Sequence, residues 1–156
     1  MRIKTTDLPL DPNGFTLTVD YSKTLEEAID AGKYDLVNDH INNENFPVSP
    51  EIIGEKINIS GKLFHFDRQI SSNDVIAKMD KEGYRPATLM ELLTLGILFP
   101  DLQKWFPIIA LGSSWLRTIN DPHVAVLNFI NKKRWLFLAN SHAGWRAYSR
   151  FFGVKK

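Results

Sequence analysis

The segment Arg85-Pro86-Ala87-Thr88-Leu89-Met90-Glu91-Leu92-Leu93 leaves its backbone few alternatives. Pro86 confines Arg85 to extended geometry, because the proline ring collides with a preceding residue in the helical region. Thr88 and Glu91 stand at the T-x-x-E spacing, where hydroxyl and carboxylate each satisfy one free amide of a helix's first turn. Leu89, Leu92, Leu93 and Ile97 then recur at helical spacing. An extended stretch turning into a buried helix is therefore predicted. Arg85, Thr88 and Glu91 are read as structural, Glu91 as a cap in preference to a general acid.

Composition sets wider bounds. The 156 residues suffice for one domain with a small embellishment, and 44% apolar content is enough for a core. There is no Cys, which excludes a disulfide scaffold, a thiolate metal site and a cysteine nucleophile. No apolar run approaches the roughly 18 residues of a membrane span. Met1-Arg2-Ile3-Lys4 has no apolar continuation of the secretory kind, so a cytoplasmic location is expected.

The net charge of +1 conceals an asymmetry. Residues 1–101 carry 10 Lys/Arg against 17 Asp/Glu, whereas residues 102–156 carry 9 Lys/Arg against Asp121 alone. A basic third of this kind can bind nucleic acid or another polyanion. The simpler expectation is that the two halves pack together and neutralise each other.

Along the chain, Phe15 to Tyr21 alternates as a half-buried strand. Thr24 and Glu27 form a second capping box, opening a helix that Gly32 can close. Lys33 to Ile41 reads as another helix on the spacing of Tyr34, Val37 and Ile41, and Ser49-Pro50 starts a further helical turn. Lys56 to Phe66 is a long strand with Gly61 as a possible bulge, and His65, facing opposite to Phe64 and Phe66, is read as a solvent-side or cross-strand residue in preference to a catalyst. Ser71 caps a helix closed by Gly83, and Asp101 to Pro107 gives a last helical turn.

The remainder is β-rich. Ile108 to Leu111 is an apolar run broken at Gly112-Ser113-Ser114, and Trp115 to Ile119 is read as a separate strand. His123 to Ile130 and Arg134 to Leu138 are strands joined by an Asn131-Lys132-Lys133 hairpin link. A last strand runs from Tyr148 to Val154. Early helices followed by antiparallel strands define an α+β class.

From residue 56 onward this order resembles the C-type lectin-like fold, in its disulfide-free branch. That branch holds the formylglycine-generating-enzyme/sulfatase-modifying domains and the variable proteins of diversity-generating retroelements. Arg85 to Glu91 is similar to the R-L-P-T-x-x-E segment of those domains, and Arg150-Phe151-Phe152-Gly153-Val154 resembles their terminal strand, which pairs beside the first. Their glycine-rich W-E-W segment is absent. The whole chain also resembles a group of bacterial proteins without assigned activity that share AGKYD, YRPATLxELL and a WxxxxRF ending. The resemblance implies two parts: residues 1–55 as a strand-helix extension packed on the main domain, and residues 56–156 as the C-type lectin-like domain. It also implies ligand contact through the last strands and loops.

Function is bounded more by exclusion. The copper-binding cysteine pair of the formylglycine-generating enzymes is missing, and so is the carboxylate cluster of a calcium lectin. His40, His65, His123 and His142 lack the spacing of a helical zinc pair, and no GxGxxG, Walker or G-x-S-x-G motif occurs. No catalytic residue, cofactor or metal is singled out. The expected function is a non-catalytic ligand- or protein-binding module whose contacts are Trp115, Arg117, His142, Trp145 and Arg146, with Trp145 and Arg146 exposed beside Gly144. The alternatives are polyanion binding through Lys132, Lys133, Arg134, Arg146 and Arg150, and an enzyme whose site has no sequence motif.

Overall fold

Alternation along the strands buries both faces of one sheet. Phe152 and Val154 point into one core while Phe151 points into another, and Ala125 and Leu127 oppose Val124 and Val126 in the same way. The computed structural model describes residues 7–156, so the reading of Met1–Lys4 lies outside the described residues. These form strands β1 (Phe15–Asp20), β2 (Leu36–Val37), β3 (Lys56–Phe64), β4 (Tyr84–Pro86), β5 (Ile108–Leu116), β6 (Pro122–Ile130), β7 (Lys133–Asn140) and β8 (Arg150–Lys155). The helices are α1 (Leu25–Gly32), α2 (Ser72–Lys81) and α3 (Leu89–Leu98). The class is α+β, and no helix among the described residues is long and apolar enough to cross a membrane.

The sheet runs β1-β3-β8-β5-β6-β7-β2, with β4 also paired to β8. β3 and β8 are antiparallel from Gly61↔Val154 to Phe64↔Phe151, and β5–β6–β7 is an antiparallel meander. α1 and α3 cover one face through Leu25, Ala28, Leu89, Leu92 and Leu93. α2 covers part of the other through Val75 and Met79, joined by Ile70 and Trp145. Each such buried Leu, Ile, Val or Met side chain contributes about 1.5–3 kcal/mol. β1 and β2 supply both outer strands, so residues 15–37 are continuous with the sheet and its main core.

Both capping boxes form as expected. At α3 the Thr88 amide donates to Glu91 Oε1 at 2.8 Å, and the Thr88 hydroxyl accepts from the Glu91 amide at 3.4 Å. Thr88→Ala is expected to cost about 1 kcal/mol in chemical denaturation through the lost cap. An unchanged midpoint would contradict a helix start at this residue.

Three expectations are corrected. Lys33–Ile41 is not a helix: Lys33 takes left-handed φ +52, reversing the chain, and Leu36–Val37 pairs parallel to Trp135–Leu136. Gly32 is the last residue of α1, left-handed Lys33 being the residue that ends the helix, and a Cβ on Gly32 would lie 2.4 Å from the Tyr34 ring. Gly61 is no bulge. It stays in register with Phe15 and Val154, and its missing side chain makes room for the Phe15 and Phe152 rings. The third is the split at Gly112-Ser113-Ser114, which lies inside the single strand β5 and is a bulge there. The expected hairpin at Asn131–Lys132 is present, both residues having positive φ as a two-residue turn requires.

Candidate functional site

The β5 bulge is large. Ala110 pairs with Ala125 and Trp115 with His123, so residues 111–114 stand opposite Val124 alone. The extruded segment is drawn to the start of α3: the Gly112 amide donates to Ala87 O at 2.7 Å, and the Ser113 hydroxyl accepts from the Leu89 amide at 3.0 Å. Bulges of this sort re-aim side chains beside functional sites. A Cβ on Gly112 would lie 2.5 Å from Ala87 O and 2.6 Å from Pro86 O, both backbone atoms that cannot swing away. Gly112→Ala is therefore expected to cost about 1–3 kcal/mol by denaturation and to shift the Ser113 and Ser114 amide resonances. Neither change would be seen if the contact were slack.

The bulge opens onto a cleft of about 320 Å³. Its apolar walls are Leu25, Phe46, Pro47, Val48, Ile52, Leu89 and Met90, and its polar groups are Tyr21, Asn45, Ser49, Thr88, Ser113 and Ser114. The outer wall, Asn45–Ile52, is pinned by asparagine turns. Asn42 Oδ1 accepts from the Asn45 amide at 3.0 Å, and the Asn45 side-chain amide donates to His40 O at 2.8 Å. Phe46 is buried beneath this wall, and the His40 ring stacks on Trp115 with centroids 4.7 Å apart.

None of the lining side chains is ionised. Burial, and then the nearby Glu91 carboxylate, raise the Tyr21 phenol above its ordinary pKa, against the opposing effect of the Thr88 hydroxyl and the Arg85 charge. It therefore stays protonated. Glu91 is buried behind the cleft and satisfied there: Arg85 grips it through two parallel bonds of 2.8 Å, and the Thr88 amide adds a third. The cleft thus offers hydroxyls, an amide and apolar surface, a set suited to an uncharged ligand.

The ligand-contact residues expected from sequence do not form one site. Trp115 lies beside the cleft, stacked by His40 on one side and 6.2 Å from His123 on another. Arg117 and His142 are exposed at one end of the sheet, where Asn140 Nδ2 donates to Asp121 Oδ1 at 2.8 Å and ties the two turns together. Trp145 corrects the expectation of exposure. It is 7% exposed, packs edge-on against Phe151, and donates from Nε1 to the Ser72 hydroxyl at 2.8 Å. Arg146 beside it is exposed. His65 is exposed as expected, with Nε2 3.0 Å from Ala147 O.

The expected polyanion set also divides. Lys132, Lys133 and Arg146 are exposed, whereas the Arg150 guanidinium lies over the Phe106 ring at 4.4 Å and donates to Tyr148 O. Arg134 is corrected to a buried structural residue: it is 9% exposed and donates to Gly32 O and Gly96 O. Among the described residues no group of three His, Asp or Glu side chains converges as a metal site. The cleft itself was missed from sequence because Tyr21, Phe46, Met90 and Ser113 are far apart in the chain. Its one local signal was the Gly112-Ser113-Ser114 interruption of an otherwise apolar strand. No protein-family model matches the chain, and no curated protein matches it.

Proposed function

We propose that the chain is a non-catalytic binding module, with a C-type lectin-like core from residue 56 onward, that holds a small uncharged ligand group in the cleft between the β5 bulge, the start of α3 and Asn45–Ile52. The architectural part is supported by the antiparallel pairing of β3 with β8, the first and last strands of that region, with α2 and α3 between them in sequence. The observation that carries the binding reading is the lining: apolar walls and hydroxyls in a volume near the low end for small-molecule sites, with no ionised side chain among them. The polyanion reading has less support, because Arg134 is buried and Arg150 is stacked on Phe106.

Cyclohexanol, an apolar body with one hydroxyl, is a suitable first probe. Saturation-transfer NMR is expected to detect it on the native protein and not on Ser114→Trp, whose indole replaces an exposed lining residue and fills the mouth. Equal signals from both proteins, or none from either, would refute the cleft. Salt-sensitive retention on heparin would instead favour the basic residues.

A further inference from the structure

We infer that the cleft takes a small apolar molecule bearing a carbonyl-type oxygen, which accepts hydrogen bonds from the first turn of α3 and the hydroxyls beside it; this rests on the cleft being a binding site. The first four N–H groups of a helix have no partner within it. In α3, Leu89 donates to the Ser113 hydroxyl, Glu91 to the Thr88 hydroxyl and Leu92 to Thr88 O. Met90 N–H is the fourth, and no group of the described residues accepts from it. Met90 lines the cleft and is 5% exposed. A buried amide donor without an acceptor is rare and costly, so this one calls for an acceptor from outside the chain.

Two hydroxyls of the cleft are in the same condition. Ser113 Oγ accepts from the Leu89 amide, which leaves its own proton to donate, and no described residue takes it. Tyr21 is 8% exposed, and its protonated phenol also donates to no group among the described residues. Elsewhere in the lining the polar groups are engaged: the Ser49 hydroxyl with Glu51, and the Asn45 side-chain amide with His40 O. The unmet groups around the start of α3 are therefore donors, and the positive end of the helix dipole favours partial negative charge on whatever meets them. A full negative charge is disfavoured. Glu91 lies close enough that its carboxylate opposes ionisation of Tyr21, an effect that Arg85 offsets only in part, and an anion beside Tyr21 would meet the same field. The carbonyl of a ketone, ester or amide has the required combination of two lone pairs, no proton and no net charge. Leu25, Phe46 and Val48 then cover its carbon frame.

The test follows amide spectra of the full chain titrated with cyclohexanone, with cyclohexanecarboxylate, and with methylenecyclohexane, whose CH2 group stands in place of the ketone oxygen. Cyclohexanone is expected to move the Met90 amide proton saturably downfield, as a new hydrogen bond requires, and methylenecyclohexane to bind at the cleft without that movement. Tyr21→Phe removes one donor and keeps the ring. It should weaken cyclohexanone about three- to tenfold and leave methylenecyclohexane as tight as before. Cyclohexanecarboxylate should bind about tenfold more weakly than the ketone. A Met90 amide that responds alike to ketone and hydrocarbon overturns the inference. So does a Tyr21→Phe protein that holds the ketone as the native one does, or a carboxylate that binds as tightly as the ketone. Each of those results leaves the cleft standing as a binding site for apolar molecules. Loss of every ligand by Tyr21→Phe would mean that the variant has lost its cleft, and the native spectra then decide alone. If no probe, cyclohexanol included, registers at the native cleft, both readings fall.

Discussion

Arg85→Met is expected to cost about 3 kcal/mol at neutral pH, the largest loss of any single substitution on the lead-in to α3. Removing one partner of a buried ion pair strands the other charge, which costs about 3–5 kcal/mol. Glu91 is the stranded group here, with 3% of its side chain exposed. The estimate sits at the lower end because the Arg85 side chain is 40% exposed and water can enter the space it vacates. Glu91→Gln should cost less, about 1–2 kcal/mol. Its amide oxygen can still accept from the Thr88 amide and from one Arg85 N–H, and no unpaired charge stays buried. The ordering is the decisive feature. Denaturation midpoints should fall further for Arg85→Met than for Glu91→Gln; the reverse order would mean that the guanidinium contributes little and the cap alone holds this corner.

A loss of similar size, about 3–4 kcal/mol, is expected for Arg134→Ala, from lost charge-assisted hydrogen bonds together with the volume left empty. Arg134 is a buried cation with no carboxylate bonded to its guanidinium. Its partners are carbonyls at the ends of two helices: Gly32 O closes α1 at 2.5 Å, and Gly96 O in the last turn of α3 accepts at 3.2 Å. These carbonyls have no acceptor role within their own helices and carry the negative end of each helix dipole. The guanidinium also lies over the Tyr34 ring, 4.6 Å from its centre, and burial pushes the Tyr34 phenol up to about 12 against the opposing pull of Arg134. Arg134→Lys keeps the charge and loses the planar fork, so it should recover only part of the stability. Full recovery by Lys would show that charge alone is needed; a neutral Arg134→Ala would show that the two helix ends are satisfied without it.

Arg134 also illustrates what could and could not be read from sequence. Strand alternation places Arg134 on the same face as Leu136 and Leu138, whereas its charge alone points it to solvent, which is why it reads from sequence as a polyanion contact. What overrides the charge is the meeting of two helix ends, a tertiary fact with no local signature. Local chemistry did identify the elements whose ends are self-satisfied: the boxes at Thr24 and Thr88, and the Asn131–Lys132 turn. It failed at Lys33–Ile41, where pairing with β7 outweighs a helical spacing of apolar residues. It failed again at Trp145, an aromatic beside a glycine in a loop, which Ile70 covers through reciprocal backbone hydrogen bonds of 2.9 and 3.1 Å. The cleft belongs to the same category. Its walls come from the ends of β1 and α1, a loop, the start of α3 and a bulge, and each segment taken alone reads as ordinary turn or helix.

The two methionines of the described residues provide the most direct test that this cleft binds. Met90 lines it, whereas Met79 is fully buried in the core on the opposite face of the sheet. With 13C-methyl-labelled methionine, titration with cyclohexanol should move the Met90 methyl resonance along a saturable curve and leave that of Met79 in place. Movement of both together, or of neither, would contradict a ligand site between α3, the β5 bulge and Asn45–Ile52.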